Sequence, residues 1–317
     1  MLLNKDAIEK LTEDCKIAET GISSHWLEMF QGFEYKDGKF SGKGLPEGEG
    51  GHKTIIHELI HYILQTPFRV QGGQFREFKK ILRTAKKCHE YRNNNIRLGT
   101  LRQVITLAFL EDSIKISQLT EPIVIIGDGF GLMASLILSH FHQLAAKVVV
   151  VNLTKNLLID AVFIWKSVPD VSMALVSNEI EYRNALKNDK IRSILIQADN
   201  AKLIGQESIG LAINICSMQE MNLSIIKEYF DYIRKSKNQN TFFYCANRVE
   251  KILPDGTVVN FLEYPWHSQD NILKDELCPW QQKYYSIRPP FYFSYDGLIQ
   301  HRLILCHKIF LTTKINS

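Results

Sequence analysis

The sequence predicts an α/β protein with a mostly parallel sheet and helices on both faces. Three observations carry this. With 317 residues, 45% of them apolar and 23% charged, the chain has the composition of a globular protein and enough length for one substantial core. From Ile123 onward, short β-branched runs alternate with helical stretches of about 10 to 15 residues, the texture of βαβ units. The first run, Ile123–Ile126, passes straight into Gly127, Gly129 and Gly131 and then into a helical pattern from Leu132 to Leu144.

Taken in order, Leu3, Ile8, Leu11, Cys15 and Ala18 recur at helical spacing, which predicts an amphipathic helix over residues 2–18. Ser41–Gly51 holds five glycines and a proline and reads as a loop. Helical patterns return at Thr54–Leu64, Phe75–Cys88 and Leu101–Leu110. Residues 1–118 therefore read as a mostly helical cap region, and the texture changes at Glu121-Pro122, placing a boundary near 119 and a second domain over 119–317. Strands are expected at Ile123–Ile126, Val148–Val151, Met173–Val176, Ser193–Ile196, Leu211–Cys216 and Thr241–Cys245. Beyond Asn247 the chain is rich in aromatics and proline, and Leu303–Leu311 is the expected antiparallel edge, a seventh strand.

The net charge is +4, too small by itself to mark a nucleic-acid binder. Its distribution is uneven, because Arg76 to Arg102 carries nine Lys and Arg against two Glu. Such a run is first of all a solvated helix face, and second a surface that attracts phosphates of a carrier-linked substrate. Six cysteines are scattered without a CxxC pair, which points to reduced thiols rather than a zinc knuckle or disulfide framework. No apolar run reaches the roughly 20 residues of a membrane span, and the first ten residues lack the apolar core of a leader. The expectation is a cytoplasmic protein without a membrane span or nucleic-acid partner.

Glycines after a buried strand serve a bound cofactor by allowing a tight turn, close backbone approach and access to free helix N–H groups. A dinucleotide fingerprint wants a small residue at the sixth position of GxGxxG, and Leu132 stands there, which disfavours a nicotinamide oxidoreductase. Gly127-Asp128-Gly129-Phe130-Gly131 is instead a GxGxG loop. Asn152 ends the second strand, where a nucleoside-binding fold places a ribose contact, and Ser217 to Met221 follow the strand Leu211–Cys216 at an edge where ligands bind.

At these residues the chain resembles the sugar O-methyltransferases of bacterial glycoside and surface-polysaccharide pathways, a class I S-adenosylmethionine-dependent family. The resembling stretches are Ser24-His25-Trp26, Leu101–Leu110, Gly127–Gly131, Ile213–Met221, Tyr244–Arg248 and Phe261–Trp266. The resemblance implies a Rossmann-like methyltransferase domain over 119–317, S-adenosylmethionine as cofactor and a free or carrier-linked sugar hydroxyl as acceptor. Gly127, Asp128, Gly129, Gly131, Asn152 and Ser217 then become the cofactor-binding residues. Two positions depart from the family pattern: Ile125 replaces an acidic residue, and Asn152 replaces an aspartate.

Methyl transfer to an alcohol needs alignment and removal of the hydroxyl proton. Glu220 and His267 are the catalytic candidates, His267 with Asp270 to orient it; their ordinary alternatives are a structural carboxylate, capping a helix or binding Arg248, and a surface histidine. A metal that acidifies the hydroxyl stays open, and no residue is assigned to one. Tyr264, Trp266, Trp280, Tyr284, Tyr285 and Tyr292 offer rings for a sugar face, or plain core packing. The rival motif is His57-Glu58-Leu59-Ile60-His61, a literal HExxH, whose metallopeptidase reading lacks a third ligand and yields to an ordinary packed helix. A methyltransferase-like binding protein without activity is the remaining alternative.

Overall fold

A computed structural model of the chain describes residues 1–17, 21–42, 55–90 and 96–307. Most of the glycine-rich stretch, Arg92 of the basic run and the end of the expected strand Leu303–Leu311 lie outside the described residues, as does the side chain of His57.

The nine strands of the central sheet are β1 Leu2–Leu3, β2 Ile123–Ile126, β3 Val148–Asn152, β4 Met173–Val176, β5 Ser193–Gln197, β6 Leu211–Ile215, β7 Phe242–Arg248, β8 Asn271–Leu277 and β9 Ile299–Leu305. Their order is β1-β4-β5-β3-β2-β6-β7-β9-β8. The six strands from β4 to β7 are mutually parallel, and β2, β3 and β4 are buried along their whole length, as strands covered on both faces must be. β1 is antiparallel to β4, and β9 is antiparallel to both β7 and β8.

The expected seven strands are therefore nine. β1 has two residues, too few for a periodic signal, and its leucines fit the helical spacing of the segment that follows. β8, Asn-Ile-Leu-Lys-Asp-Glu-Leu, is largely exposed and charged, the composition of a protected edge strand rather than of a core strand. It covers β9, so the segment expected to close the sheet lies one strand inside the edge.

Helices α1 Asn4–Asp14, α2 Ser24–Met29, α3 Ile55–Leu64, α4 Thr66–Gly72, α5 Phe78–His89 and α6 Leu98–Ile114 precede β2. A hairpin, Glu34–Lys36 with Lys39–Ser41, interrupts them. α7 Leu132–His140, α8 Thr154–Ser167, α9 Glu179–Lys187 and α10 Leu223–Lys235 follow strands β2, β3, β4 and β6. One core cluster joins Ala7, Leu11, Ile81 and Leu101 to α7, α8 and one sheet face, so the early helices share a core with the strands. The other cluster packs Tyr182, Tyr229, Phe230 and Phe261 on the opposite face. Among the described residues no helix is long and apolar enough to cross a membrane, and the six cysteines are free thiols.

Candidate functional site

β2 and β3 neighbour each other while β6 lies on the far side of β2, so the crossovers diverge at the carboxyl end of β2 and leave a crevice there. The glycine turn fills that position. Gly127, Gly129 and Gly131 have φ of +70°, +82° and +67°, a region open to glycine at little cost. Each is constrained differently. A Cβ on Gly127 would stand 1.9 Å from Ser217 Oγ, and one on Gly131 would stand 2.6 Å from the Asp160 carbonyl oxygen. Around Gly129 nothing lies within 4 Å, so its backbone faces open space.

Asp128 turns back on its own helix. Its carboxylate accepts from the backbone N–H groups of Met133 and Ala134 at 2.9 and 2.8 Å, which neutralises two of the free donors at the start of α7. Burial pushes its pKa up to about 6 against the pull of those N–H groups. Behind it lies Asp160, a fully buried carboxyl in the middle of α8. Burial and the neighbouring Asp128 raise Asp160 well above the ordinary carboxylate range.

Asn152 ends β3 as expected and is 7% exposed. Its Nδ2 donates to Asp160 Oδ2 at 2.8 Å, and its Oδ1 accepts from Leu153 N–H at 3.0 Å. The amide thus holds the strand end against α8.

A pocket opens at this edge, with Gly127, Val151, Asn152, Ala198 and Ser217 on its sheet side, Ile225 and Tyr229 from α10, and Gly21 to Ser23 with Trp26 on the opposite side. Its cavity volume is about 50 Å³. That is well below the roughly 300–1,000 Å³ of ordinary small-molecule sites. A nucleoside-sized ligand would therefore press on the segment from Gly21 to Trp26. That segment is tied down by Ser23 Oγ donating to the Glu220 carbonyl at 2.5 Å and by Asn222 Nδ2 donating to the Gly21 carbonyl at 3.4 Å.

Glu220 also lines the pocket. Lys251 Nζ donates to its Oε1 at 3.0 Å, and His25 Nε2 stands 3.5 Å from its Oε2. Burial alone would raise this carboxyl, but His25 and Lys251 outweigh burial and hold it below its ordinary value. The partner expected for Glu220, Arg248, is replaced by Lys251.

Of the eight sequence-selected residues, the fold brings seven together and leaves His267 apart. His267 lies beside the start of β8, its ring stacked on His307 and its backbone N–H donating to Asp270 Oδ2 at 2.9 Å. Asp270 is bound by Arg234 in the last turn of α10. This is the amino-terminal edge of the parallel strands, opposite the pocket, and Asp270 serves Arg234 there rather than the imidazole. None of the six tyrosines and tryptophans proposed for a sugar face lines the pocket; the rings that do are Trp26 and Tyr229. Sequence reasoning missed His25, Lys251 and Asp160. For Asp160 the signal was a lone acid within Leu157–Ile164, and for His25 its place in a resembling stretch.

In the rival motif, His61 Nδ1 shares a 2.8 Å hydrogen bond with the Tyr285 hydroxyl. Among the described residues no group of three His, Cys, Asp or Glu could hold a metal ion.

No family model matches the chain, and no curated protein matches it. Solved structures do. A protein from work on the conversion of a disulfide bond into a thioacetal group during echinomycin biosynthesis is 10% identical over 63% of this chain and 80% of that one, with a TM-score of 0.38. The O-methyltransferase TomG from Streptomyces achromogenes, in complex with S-adenosylmethionine, is 13% identical over 71% and 88%, with a TM-score of 0.34. The S-adenosylmethionine-dependent methyltransferase SibL in its apo form is 10% identical over 94% and 95%, with a TM-score of 0.33. Likeness at this level carries no argument about activity, which rests on the site itself.

Proposed function

We propose that the chain is an S-adenosylmethionine-dependent O-methyltransferase of the class I type and that a sugar hydroxyl is its acceptor. The observation that carries the reading is the glycine turn at the switch point: three left-handed glycines, Gly127 on the pocket wall and Gly129 facing open space, between a buried strand and a capped helix. The residues fit the cofactor in kind. Gly127 and Gly129 would pass under it, Ser217 and the β3 end at Asn152 would flank its nucleoside, and Ile225 and Tyr229 supply an apolar wall. When bound, S-adenosylmethionine supplies an electrophilic methyl group on a sulfonium.

The chain's own part is to hold the acceptor and take its proton. Glu220 is kept ionised by Lys251 and faces His25 Nε2, which leaves His25 Nδ1 to accept the proton of a hydroxyl. An imidazole suits that task near neutral pH, and Glu220 stabilises the imidazolium formed. In this reading Glu220 is half of an acid–base pair rather than a lone base, and His267 takes no part. The sugar acceptor and the polysaccharide or glycoside setting rest on the resembling stretches.

Calorimetric titration with S-adenosylmethionine and S-adenosylhomocysteine tests the reading. Saturable binding of both, weakened by Gly129→Ala, supports it; no binding of either overturns it. Binding of both without methyl transfer to any of a panel of sugars and sugar phosphates favours the inactive binding protein.

A further inference from the structure

Beside the pocket, Cys216 follows β6 and lies within electrostatic reach of four charged side chains: Glu220, Arg102, Arg248 and Lys251. Lys251 and Glu220 neutralise each other across 3.0 Å. Two guanidiniums remain, and they share one ring, with Arg102 Cζ 5.2 Å and Arg248 Cζ 5.3 Å from the centroid of Tyr295.

Neither cation has a buried counter-charge among the described residues. Arg102 spends Nε and Nη2 on the carbonyls of Trp280 and Lys283 at 3.1 and 2.5 Å, and among the described residues no carboxylate pairs with it. Arg248 Nε is buried without a hydrogen-bond partner. Among the described residues the carboxylate that pairs with Arg248 is Asp296, 3.5 Å from Nη1 and 97% exposed, where water screens it. The Arg248 stem is also held: Gly297, at φ +88°, passes so close that a Cβ there would stand 3.2 Å from Arg248 Cδ.

Guanidiniums drawn into a fold are ordinarily paired, because an unmatched buried charge is costly. Two that are held in place, stacked about one tyrosine and left without a buried counter-charge beside a pocket describe an anion site. We propose that Arg248, with Arg102 behind it, binds an oxyanion, a carboxylate or a phosphate, carried by the molecule that enters the pocket. Resting on the methyltransferase reading, this makes the methyl acceptor an anionic sugar derivative. The planar fork of Arg248 suits two parallel hydrogen bonds to such a group. The charge that recognises the acceptor then lies at the carboxyl ends of β6 and β7, not on the basic face of α5.

The test is calorimetry on the full chain with inorganic phosphate, glucuronate, glucose 1-phosphate and glucose, with and without S-adenosylhomocysteine. Saturable binding of phosphate and of at least one anionic sugar, about tenfold or more tighter than glucose, is the expected result. Glucuronate against glucose 1-phosphate distinguishes the carboxylate from the phosphate source. Arg248→Gln and Arg248→Lys should each lose about tenfold or more in anion affinity while keeping that for S-adenosylhomocysteine; the lysine variant retains charge and stem should the glutamine variant fail to fold. The Lys86→Gln/Lys87→Gln variant on α5 should bind anions as the parent does. Anions bound no better than glucose, or binding lost in the α5 variant and kept in Arg248→Lys, would overturn the proposal. S-adenosylhomocysteine binding without anion binding removes the anion site alone; Arg248-dependent phosphate binding without S-adenosylhomocysteine binding removes the methyltransferase reading alone.

Discussion

Asn152 Nδ2 donates to Asp160 Oδ2 across 2.8 Å, so the polar side chain at the end of β3 is bound to α8 before any ligand arrives. The side chain at this strand end is a donor, matched to the buried acid it faces. An aspartate at 152 would set a second carboxylate against Asp160, whose own pKa is already raised.

Asn152→Asp should therefore lower stability by about 1–3 kcal/mol at pH 7.5, the range for an uncompensated buried charge or a broken buried hydrogen bond. The loss should shrink in Asn152→Asp/Asp160→Asn, because the new pair again matches donor with acceptor. Thermal denaturation of the two single variants and the double variant measures the coupling. Additive losses would show that the two side chains act independently.

Asp128 makes stability depend on pH in a direction opposite to that of a salt-bridged carboxylate. Its folded-state pKa, about 6, lies above the unfolded value near 4, so its contribution is complete below pH 4 and is lost as pH rises through about 6. Between pH 4 and 7.5 the parent should lose up to about 3 kcal/mol relative to Asp128→Asn. Parallel stability curves for the two proteins across that window would refute the raised pKa.

The glycines separate packing from ligand approach. Gly127→Ala drives a methyl group into Ser217 and should destabilise the fold by roughly 2 kcal/mol or more. Gly129→Ala meets no protein atom, so its cost is the positive φ alone, about 1–2 kcal/mol. If the cofactor passes over this residue, Gly129→Ala should still weaken S-adenosylmethionine binding by about tenfold or more, a loss larger than its effect on thermal stability would explain. Unchanged affinity would place the cofactor elsewhere.

His25 and Glu220 should act together in turnover. Once an acceptor is in hand, His25→Gln should lower kcat by roughly 10²–10⁴, the range for removal of a general base. Glu220→Gln leaves Lys251 without its partner and should lower kcat at neutral pH while leaving S-adenosylmethionine affinity within about threefold. His267→Ala should leave kcat unchanged, since the residue lies at the other edge of the sheet. A loss in His267→Ala equal to that in His25→Gln would reverse the assignment.

The parallel strands were legible because each is built on a short, mostly apolar run, and such runs are forced by burial on both faces. The glycine turn was legible for a related reason: a strand that must turn sharply into a helix at φ near +70° admits little but glycine. β1 and β8 were not legible, since a two-residue strand has no period and an exposed charged edge carries the composition of a loop.

By itself the sequence determined the α/β class, the switch-point turn and seven of the residues gathered there. Tertiary structure decided what those residues do to one another. His25 and Glu220 are 195 positions apart, and Asp128 and Asp160 are 32 apart, one on the glycine turn and the other in α8; no local pattern records that they face each other. The same holds for Arg102 and Arg248, one the end of a basic run and the other a candidate partner of Glu220 in the sequence, until the fold sets both against Tyr295. Charge is a property of composition, but whether it is compensated depends on distance and burial, and those exist only once the chain has folded.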